Sequence, residues 1–188
     1  MPWNRLTIVF GLILATCALA TASFAPSAAA EEPKVHAIKL GKLQMTAPAD
    51  WDKKTPSVRI IAYEFSLPPA EKGLDPGRMT IMSAGGSIEA NLDRWYGQFR
   101  QEDGGDTAKA AKTEKKEIAG QTVHLVEITG TFKDQRGPFS KAEFKKDYEM
   151  FAAIIETGAG NIFVKTTAPK KTMAKHKKAI RAMIEGLK

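Results

Sequence analysis

The segment YEMFAAIIETGAGNIFVKTT, residues 148–167, decides the fold. Its first half, residues 148–155, is apolar at successive positions, which is typical of a strand covered on both faces of its sheet. Gly158-Ala159-Gly160 then makes a tight turn into a second apolar strand, residues 162–166. Because so short a turn can join only antiparallel neighbours, the segment predicts a central antiparallel pair.

Two amphipathic helices accompany these strands. Ser87 is a good N-cap, and apolar residues follow it at spacings of four, three and four, namely Ile88, Leu92, Trp95 and Phe99. A last helix is predicted to start at Pro169, and its apolar stripe consists of Met173, His176, Ile180, Met183, Ile184 and Leu187. Between the helices, residues 106–116 are polar and are expected to be mobile, whereas residues 118–132 predict a hairpin.

The order of elements is strands, helix, four strands, helix. Together with the central strand that is apolar on both faces, this order predicts an α+β fold. We expect an antiparallel β-sheet covered by helices on both faces, which is an α/β/α sandwich.

The N-terminal 30 residues have the features of a cleaved secretory signal. Arg5 precedes a short apolar run, and the segment ends in Ser27-Ala28-Ala29-Ala30, small residues suited to signal peptidase. The run is shorter than the ~20 residues of a membrane-spanning helix, so a retained anchor is the less favoured alternative. Lipid attachment at Cys17 is another less favoured alternative. We therefore expect an exported protein with one globular domain, residues 31–188, located in the bacterial periplasm or outer envelope or secreted.

Composition and charge restrict the function further. The chain has 188 residues, 43% of them hydrophobic, and a single cysteine, which excludes a disulfide or zinc-finger scaffold. All but one of its 28 Lys and Arg residues lie outside the predicted signal, against 21 Asp and Glu. Because export makes nucleic acid an improbable partner, the positive charge favours an acidic protein, anionic envelope polymers or lipid head groups.

The chain resembles the Mog/PsbP-like family, and in particular its exported, uncharacterised bacterial members. The resemblance rests on the order of five segments: PADW (48–51), SIEANLDRW (87–95), GPF (137–139), YEMFAAIIE (148–156) and FVKTTAP (163–169). It implies a central antiparallel sheet between helices, and a fold that is used for binding. It supplies no catalytic residues, and it identifies no partner, because partners differ between branches of the family.

No motif for catalysis, a cofactor or a metal is evident in the sequence. The histidines, His36, His124 and His176, have no ligand spacing, and no G-x-S-x-G, H-E-x-x-H or Walker sequence occurs. We therefore expect a non-enzymatic binding or accessory protein without a cofactor or metal site.

The first candidate binding site is the connection 133–146, which is long for a hairpin. It combines aromatic and cationic residues, as interface anchors do, and the residues expected to contact a protein partner are Arg136, Phe139, Lys141, Phe144, Lys145 and Lys146. The alternative is that both phenylalanines cover the sheet.

The second candidate is the start of the last helix. Lysines in a first turn oppose the helix dipole, and no acidic residue of the same turn compensates them. Backbone N–H groups and lysines would attract an anion there, through Lys170, Lys171, Lys175 and Lys178. The alternative is a solvated lysine face.

Overall fold

The computed structural model describes residue 1 and residues 35–135 and 140–188. Over these residues the chain forms ten strands and three helices. In chain order they are β1 (Val35–Leu40), β2 (Leu43–Pro48), β3 (Asp52–Lys54), β4 (Ile61–Leu67), β5 (Gly77–Ala84), α1 (Ile88–Tyr96), β6 (Phe99–Arg100), α2 (Thr107–Ala110), β7 (Lys112–Ile118), β8 (Gln121–Asp134), β9 (Glu143–Thr157), β10 (Gly160–Pro169) and α3 (Lys170–Glu185).

The sheet is antiparallel, as predicted. Seven of its eight strands follow the order β3-β4-β5-β10-β9-β8-β6, and the eighth, β7, also pairs with β8. Strands β1 and β2 form a separate hairpin. Strands β9 and β10 pair from Gly160 opposite Thr157 to Pro169 opposite Tyr148. The central pair expected from residues 148–167 is thus confirmed.

Successive residues of β9 contribute to two different hydrophobic clusters. Phe151, Ala153 and Ile155 belong to a cluster that includes the buried apolar residues of α3. Met150, Ala152 and Ile154 belong to a second cluster, which includes Trp95 of α1. Since neighbouring side chains of a strand point to opposite faces, the clusters lie on opposite faces of the sheet. The antiparallel α+β class is confirmed, and complete helical cover of both faces stays a prediction.

Helix α3 is held to its face of the sheet by a buried polar contact as well as by apolar packing. His176 is 4% exposed, accepts a hydrogen bond at Nδ1 from Trp51 Nε1 (3.2 Å) and donates from Nε2 to the carbonyl of Pro68 (2.8 Å). The six residues of the predicted apolar stripe are all buried. The helix begins at Lys170, with Pro169 as its N-cap, one residue later than predicted.

The prediction of a mobile segment at 106–116 is wrong. These residues contain α2 and most of β7, which pairs with β8 from Lys112 opposite Glu127 to Ile118 opposite Gln121. Charged side chains are common on edge strands, where they prevent pairing with another sheet. A strand of this kind lacks the apolar alternation by which a sequence reveals strands.

The connection between β8 and β9 is shorter than predicted. Both strands continue into the expected loop, with Phe132 opposite Lys145 and Lys133 opposite Phe144. The connection therefore spans residues 135–142, and three of the six predicted contact residues, Phe144, Lys145 and Lys146, lie on β9. Residues 133–146 mix charged and aromatic side chains without apolar alternation, so the sequence pattern did not indicate that β8 and β9 extend into this segment.

The predicted signal, residues 1–30, lies outside the described residues except for Met1. Cys17 also lies outside them. Within the described part of the chain, none of the helices has the length and hydrophobicity needed to cross a membrane.

Candidate binding cleft

A cleft of about 540 Å³ opens on the sheet face that carries Trp95. Helix α1 has nine residues and is about 14 Å long, whereas a 15-residue strand such as β9 extends for about 50 Å. The helix ends at Tyr96, and Gly97 and Gln98 then line one side of the cleft. The short helix thus leaves part of its face uncovered, and the cleft occupies that part.

Strands β5 and β10 form the floor of the cleft. Lys165 lies opposite Thr80, and Thr167 lies opposite Arg78, so all four side chains share one face. Arg78 is therefore the diagonal neighbour of Lys165, and two cationic groups lie side by side.

Lys165 is surrounded by protein but is still partly exposed to the cleft. Its ammonium group donates a hydrogen bond to Gln98 Oε1 and lies 5.8 Å from the centre of the Phe132 ring. Burial lowers the pKa of Lys165 to about 8, and the nearby Arg78 charge acts in the same direction, while Asp134 opposes them. The charge of this lysine is thus met by a neutral amide, at a considerable cost in solvation.

Arg78 differs from Lys165 because it has an acidic partner. Its Nε lies 2.8 Å from Glu64 Oε1, across the β4–β5 pair. A guanidinium has five N–H donors, so this single contact leaves donors for a ligand.

A network of charges and aromatic rings forms another wall of the cleft. Tyr148 donates a 2.5 Å hydrogen bond to Asp75 Oδ2, and Lys145 lies 3.2 Å from the same oxygen. These two contacts hold the pKa of Asp75 below its ordinary value, and burial together with Asp75 raises the pKa of Tyr148. The Tyr148 ring stacks on Phe132, with centroids 5.9 Å apart. Charge on this wall is therefore neutralised within the protein.

The predicted partner-binding residues occupy different environments. Arg136 and Phe139 lie outside the described residues. Lys141 and Lys146 are exposed, whereas Lys145 is engaged with Asp75 and Asp134 in the cleft wall.

The Phe144 ring is not buried over the sheet. Its side chain is 47% exposed, and the guanidinium carbon of Arg100 lies 4.5 Å from the ring centre. A large apolar ring is thus displayed beside a cation on the protein surface.

The lysines of α3 are less available to an anion than the sequence suggests. Lys170 lies 3.6 Å from Asp147, and Lys171 lies 3.0 Å from Glu71. Lys175 donates to the carbonyl of Pro69, while Lys178 is exposed. The acidic groups that the sequence did not show in the first turn come from other elements.

The cleft residues Lys165, Arg78 and Glu64 are not among the site residues predicted from the sequence. One signal was present, because Lys165 follows Ile162, Phe163 and Val164 and interrupts an apolar strand. A charge at such a position indicates either a strand end or a polar site on the sheet. The strand continues to Pro169, which leaves the second explanation.

The histidines lie apart and serve local contacts. His36 bonds to the carbonyl of Trp51 at 2.9 Å, and His124 lies 2.6 Å from Glu156. Among residues 35–135 and 140–188, no group of three His, Cys, Asp or Glu side chains is arranged to hold a metal ion.

Comparisons with known proteins reveal similar structures but no family. No family model matches the chain, and no curated protein matches its sequence. Cyanobacterial PsbP (CyanoP) from Synechocystis is similar at 10% identity, with a TM-score of 0.49, over 83% of this chain and 92% of that chain.

Two other solved structures have comparable similarity. One is a putative regulator of unknown function from Pseudomonas aeruginosa, with 12% identity, a TM-score of 0.47 and coverage of 80% of this chain and 94% of that chain. The other is LpqN of Mycobacterium tuberculosis, described as involved in cell envelope biogenesis, with 10% identity, a TM-score of 0.46 and coverage of 82% and 89%. At these values membership of the Mog/PsbP-like family stays a prediction.

Proposed function

We propose that this protein is an exported, non-enzymatic binding protein of the bacterial cell envelope that contacts a protein partner through the β8–β9 hairpin end and the start of α3. The observation that carries the proposal is the exposed Phe144 ring beneath the Arg100 guanidinium. Aromatic and arginine side chains are enriched among the residues that contribute most to protein–protein binding. Exposing such a ring without a partner is unfavourable, since its apolar surface remains in water.

The two predicted contact regions are adjacent in space. Asp147, three residues after Phe144 on β9, lies 3.6 Å from Lys170 in the first turn of α3. The exposed Lys146, two residues after Phe144 on β9, would contribute a cation to the polar rim of such a contact. An aromatic centre with a cationic rim suits a partner whose surface is apolar in the middle and acidic at its edge.

The experiment is cross-linked capture from the envelope of the source organism, with the full chain produced in that organism. Wild type is compared with Phe144→Ala and with Ile60→Ala, which removes another exposed apolar side chain (66% exposed) away from the hairpin. We expect one protein to be captured by wild type and Ile60→Ala and lost from Phe144→Ala. Equal capture by all three would refute the contact, provided that the variants melt within a few degrees of wild type.

A fold proposal accompanies this function. The position of α3 on one sheet face and of Trp95 of α1 on the other supports an α/β/α sandwich of the Mog/PsbP-like type.

The alternative is an anionic polymer or lipid surface bound by the lysine-rich α3. Elution of the bound material by moderate salt, without any effect of Phe144→Ala, would favour this alternative over the protein partner. The ion pairs of Lys170 and Lys171 make it the weaker candidate.

A further inference from the structure

The cleft contains more positive than negative charge. Five lysine or arginine side chains and three carboxylates line it, namely Lys54, Arg78, Lys133, Lys145, Lys165, Glu64, Asp75 and Asp134. Asp75 and Asp134 both pair with Lys145, and Glu64 pairs with Arg78. The ammonium of Lys165, in contrast, is hydrogen-bonded to the neutral amide of Gln98. A ligand with negative charge would therefore complete the electrostatics of the floor.

Apolar groups lie next to this charge. Phe132, Met82 and Ile61 line the same cleft, and the Phe132 ring lies 5.8 Å from the Lys165 ammonium. The volume of about 540 Å³ falls within the range of small-molecule sites, which combine apolar walls with a few placed polar groups. The hydroxyl of Thr80 and the remaining donors of Arg78 add hydrogen-bonding capacity beside the lysine.

From this arrangement we propose that the cleft binds a small organic anion, with its oxyanion group against Lys165 and Arg78 and its apolar part against Phe132 and Met82. Binding supplies the missing counter-charge, and the protein exchanges one neutral partner of Lys165 for a charged one. The anionic acceptor adds a Coulombic attraction to the ammonium that the neutral amide of Gln98 does not provide. The proposal involves no covalent step. The cleft acts as a binding site, and it is separate from the Phe144 surface.

The test is isothermal titration calorimetry at pH 7 and low salt with four probes: phenyl phosphate, benzoate, inorganic phosphate and neutral benzyl alcohol. We expect saturable binding of phenyl phosphate and benzoate, weaker binding of inorganic phosphate, and none of benzyl alcohol. A phosphate preference over benzoate would assign the ligand to phosphates, and the reverse would assign it to carboxylates. Failure of both organic anions to bind, or binding of inorganic phosphate as tight as that of phenyl phosphate, would overturn the proposal.

Two lysine variants locate the binding. Lys165→Met keeps an unbranched side chain, one atom shorter, and removes its charge, and we expect affinity for phenyl phosphate to fall about 10- to 100-fold. Lys178→Met makes the same charge change on the exposed side of α3 and should bind as wild type does. Loss in Lys178→Met, with retention in Lys165→Met, would move the site from the cleft to the helix.

The pH dependence of wild-type binding tests the same proposal without a variant. With a pKa of about 8, Lys165 loses its proton between pH 7 and pH 9, so affinity should fall about tenfold. The pKa values of Asp75, Lys145 and Tyr148 are displaced away from this interval, and these groups keep their charge state. The other charged groups that line the cleft are Arg78, Lys54, Lys133, Glu64 and Asp134. Unchanged affinity at pH 9 would contradict a role for Lys165.

Discussion

Lys165 donates its hydrogen bond to Gln98 Oε1, so an ammonium enclosed in the sheet face is paired with a neutral amide. Burial of a charge without a counter-charge lowers stability, and proteins retain such arrangements chiefly where they serve binding or catalysis. Burial, with the nearby Arg78 charge acting in the same direction, lowers the pKa of Lys165 to about 8, so both stability and binding should depend on the charge of this one residue.

The first prediction concerns stability and pH. The folded-state pKa of Lys165 lies below that of an unfolded lysine, so the unfolded chain binds more protons between about pH 8 and pH 10.4. The contribution of Lys165 is therefore unfavourable below pH 8 and is relieved as the pH rises. We expect Lys165→Met to increase the free energy of unfolding at pH 7 by about 1–3 kcal/mol.

Urea unfolding of wild type and Lys165→Met at pH 7 and pH 9.5 checks this prediction. The gap between the two proteins should narrow at the higher pH. A variant less stable than wild type at both values would show that the Lys165 hydrogen bond outweighs its desolvation.

The second prediction concerns the contact between Trp51 and His176. His176→Ala removes both hydrogen bonds of the imidazole and leaves a cavity in the core beneath α3, which should cost about 2–4 kcal/mol. His176→Gln can still accept at one atom and donate at another, so it should recover part of the loss. Chemical denaturation followed by tryptophan fluorescence measures both, and equal stability of the alanine variant and wild type would contradict the structure.

The third prediction concerns Gly130, at the irregularity between β8 and β9. Its φ of +144° is rarely adopted by other residues, and a Cβ there would lie 2.6 Å from the carbonyl oxygen of Arg100. Gly130→Ala should destabilise the protein by about 2 kcal/mol or more. The matched control is Gly158→Ala, where a Cβ would meet open space. The thermal midpoint of this variant should stay close to that of wild type, whereas that of Gly130→Ala should fall.

The fourth prediction concerns Asp75 in the cleft wall. Its folded-state pKa is lowered by Tyr148 and Lys145, so its stabilising effect exists above the ordinary carboxyl pKa and disappears as the pH falls through the folded value. Asp75→Asn should lower stability modestly at pH 7, by less than about 1 kcal/mol because the carboxylate is exposed. The difference from wild type should shrink as the pH falls below the ordinary carboxyl pKa, because both states then bind the proton. A constant difference across the pH range would exclude an electrostatic origin.

The sequence predicted the parts of the fold that depend on local patterns. Residues 148–167 carry both an apolar run and a tight turn, and the stripe of α3 has helical spacing, so these elements were found. Strand β7 was not predicted, because most of its residues are charged or polar. Its ordered structure depends on pairing with β8 and on ion pairs such as that between Arg181 and Glu114. Such long-range contacts leave no local pattern.

The binding sites show the same division. Phe144 was recognised from composition, but its exposure depends on the extension of β9 beyond the predicted strand. The cleft depends on where α1 ends above the sheet and on the register that places Arg78 diagonally from Lys165. Neither can be read from spacing along the chain.

The most direct measurement is an NMR titration of the side-chain ¹³Cε resonance of Lys165, assigned by comparison with Lys165→Met, with and without phenyl phosphate. The account predicts a pKa near 8 in the free protein and a clear upward shift when the anion is bound. An ordinary lysine pKa that does not respond to the anion would contradict the account.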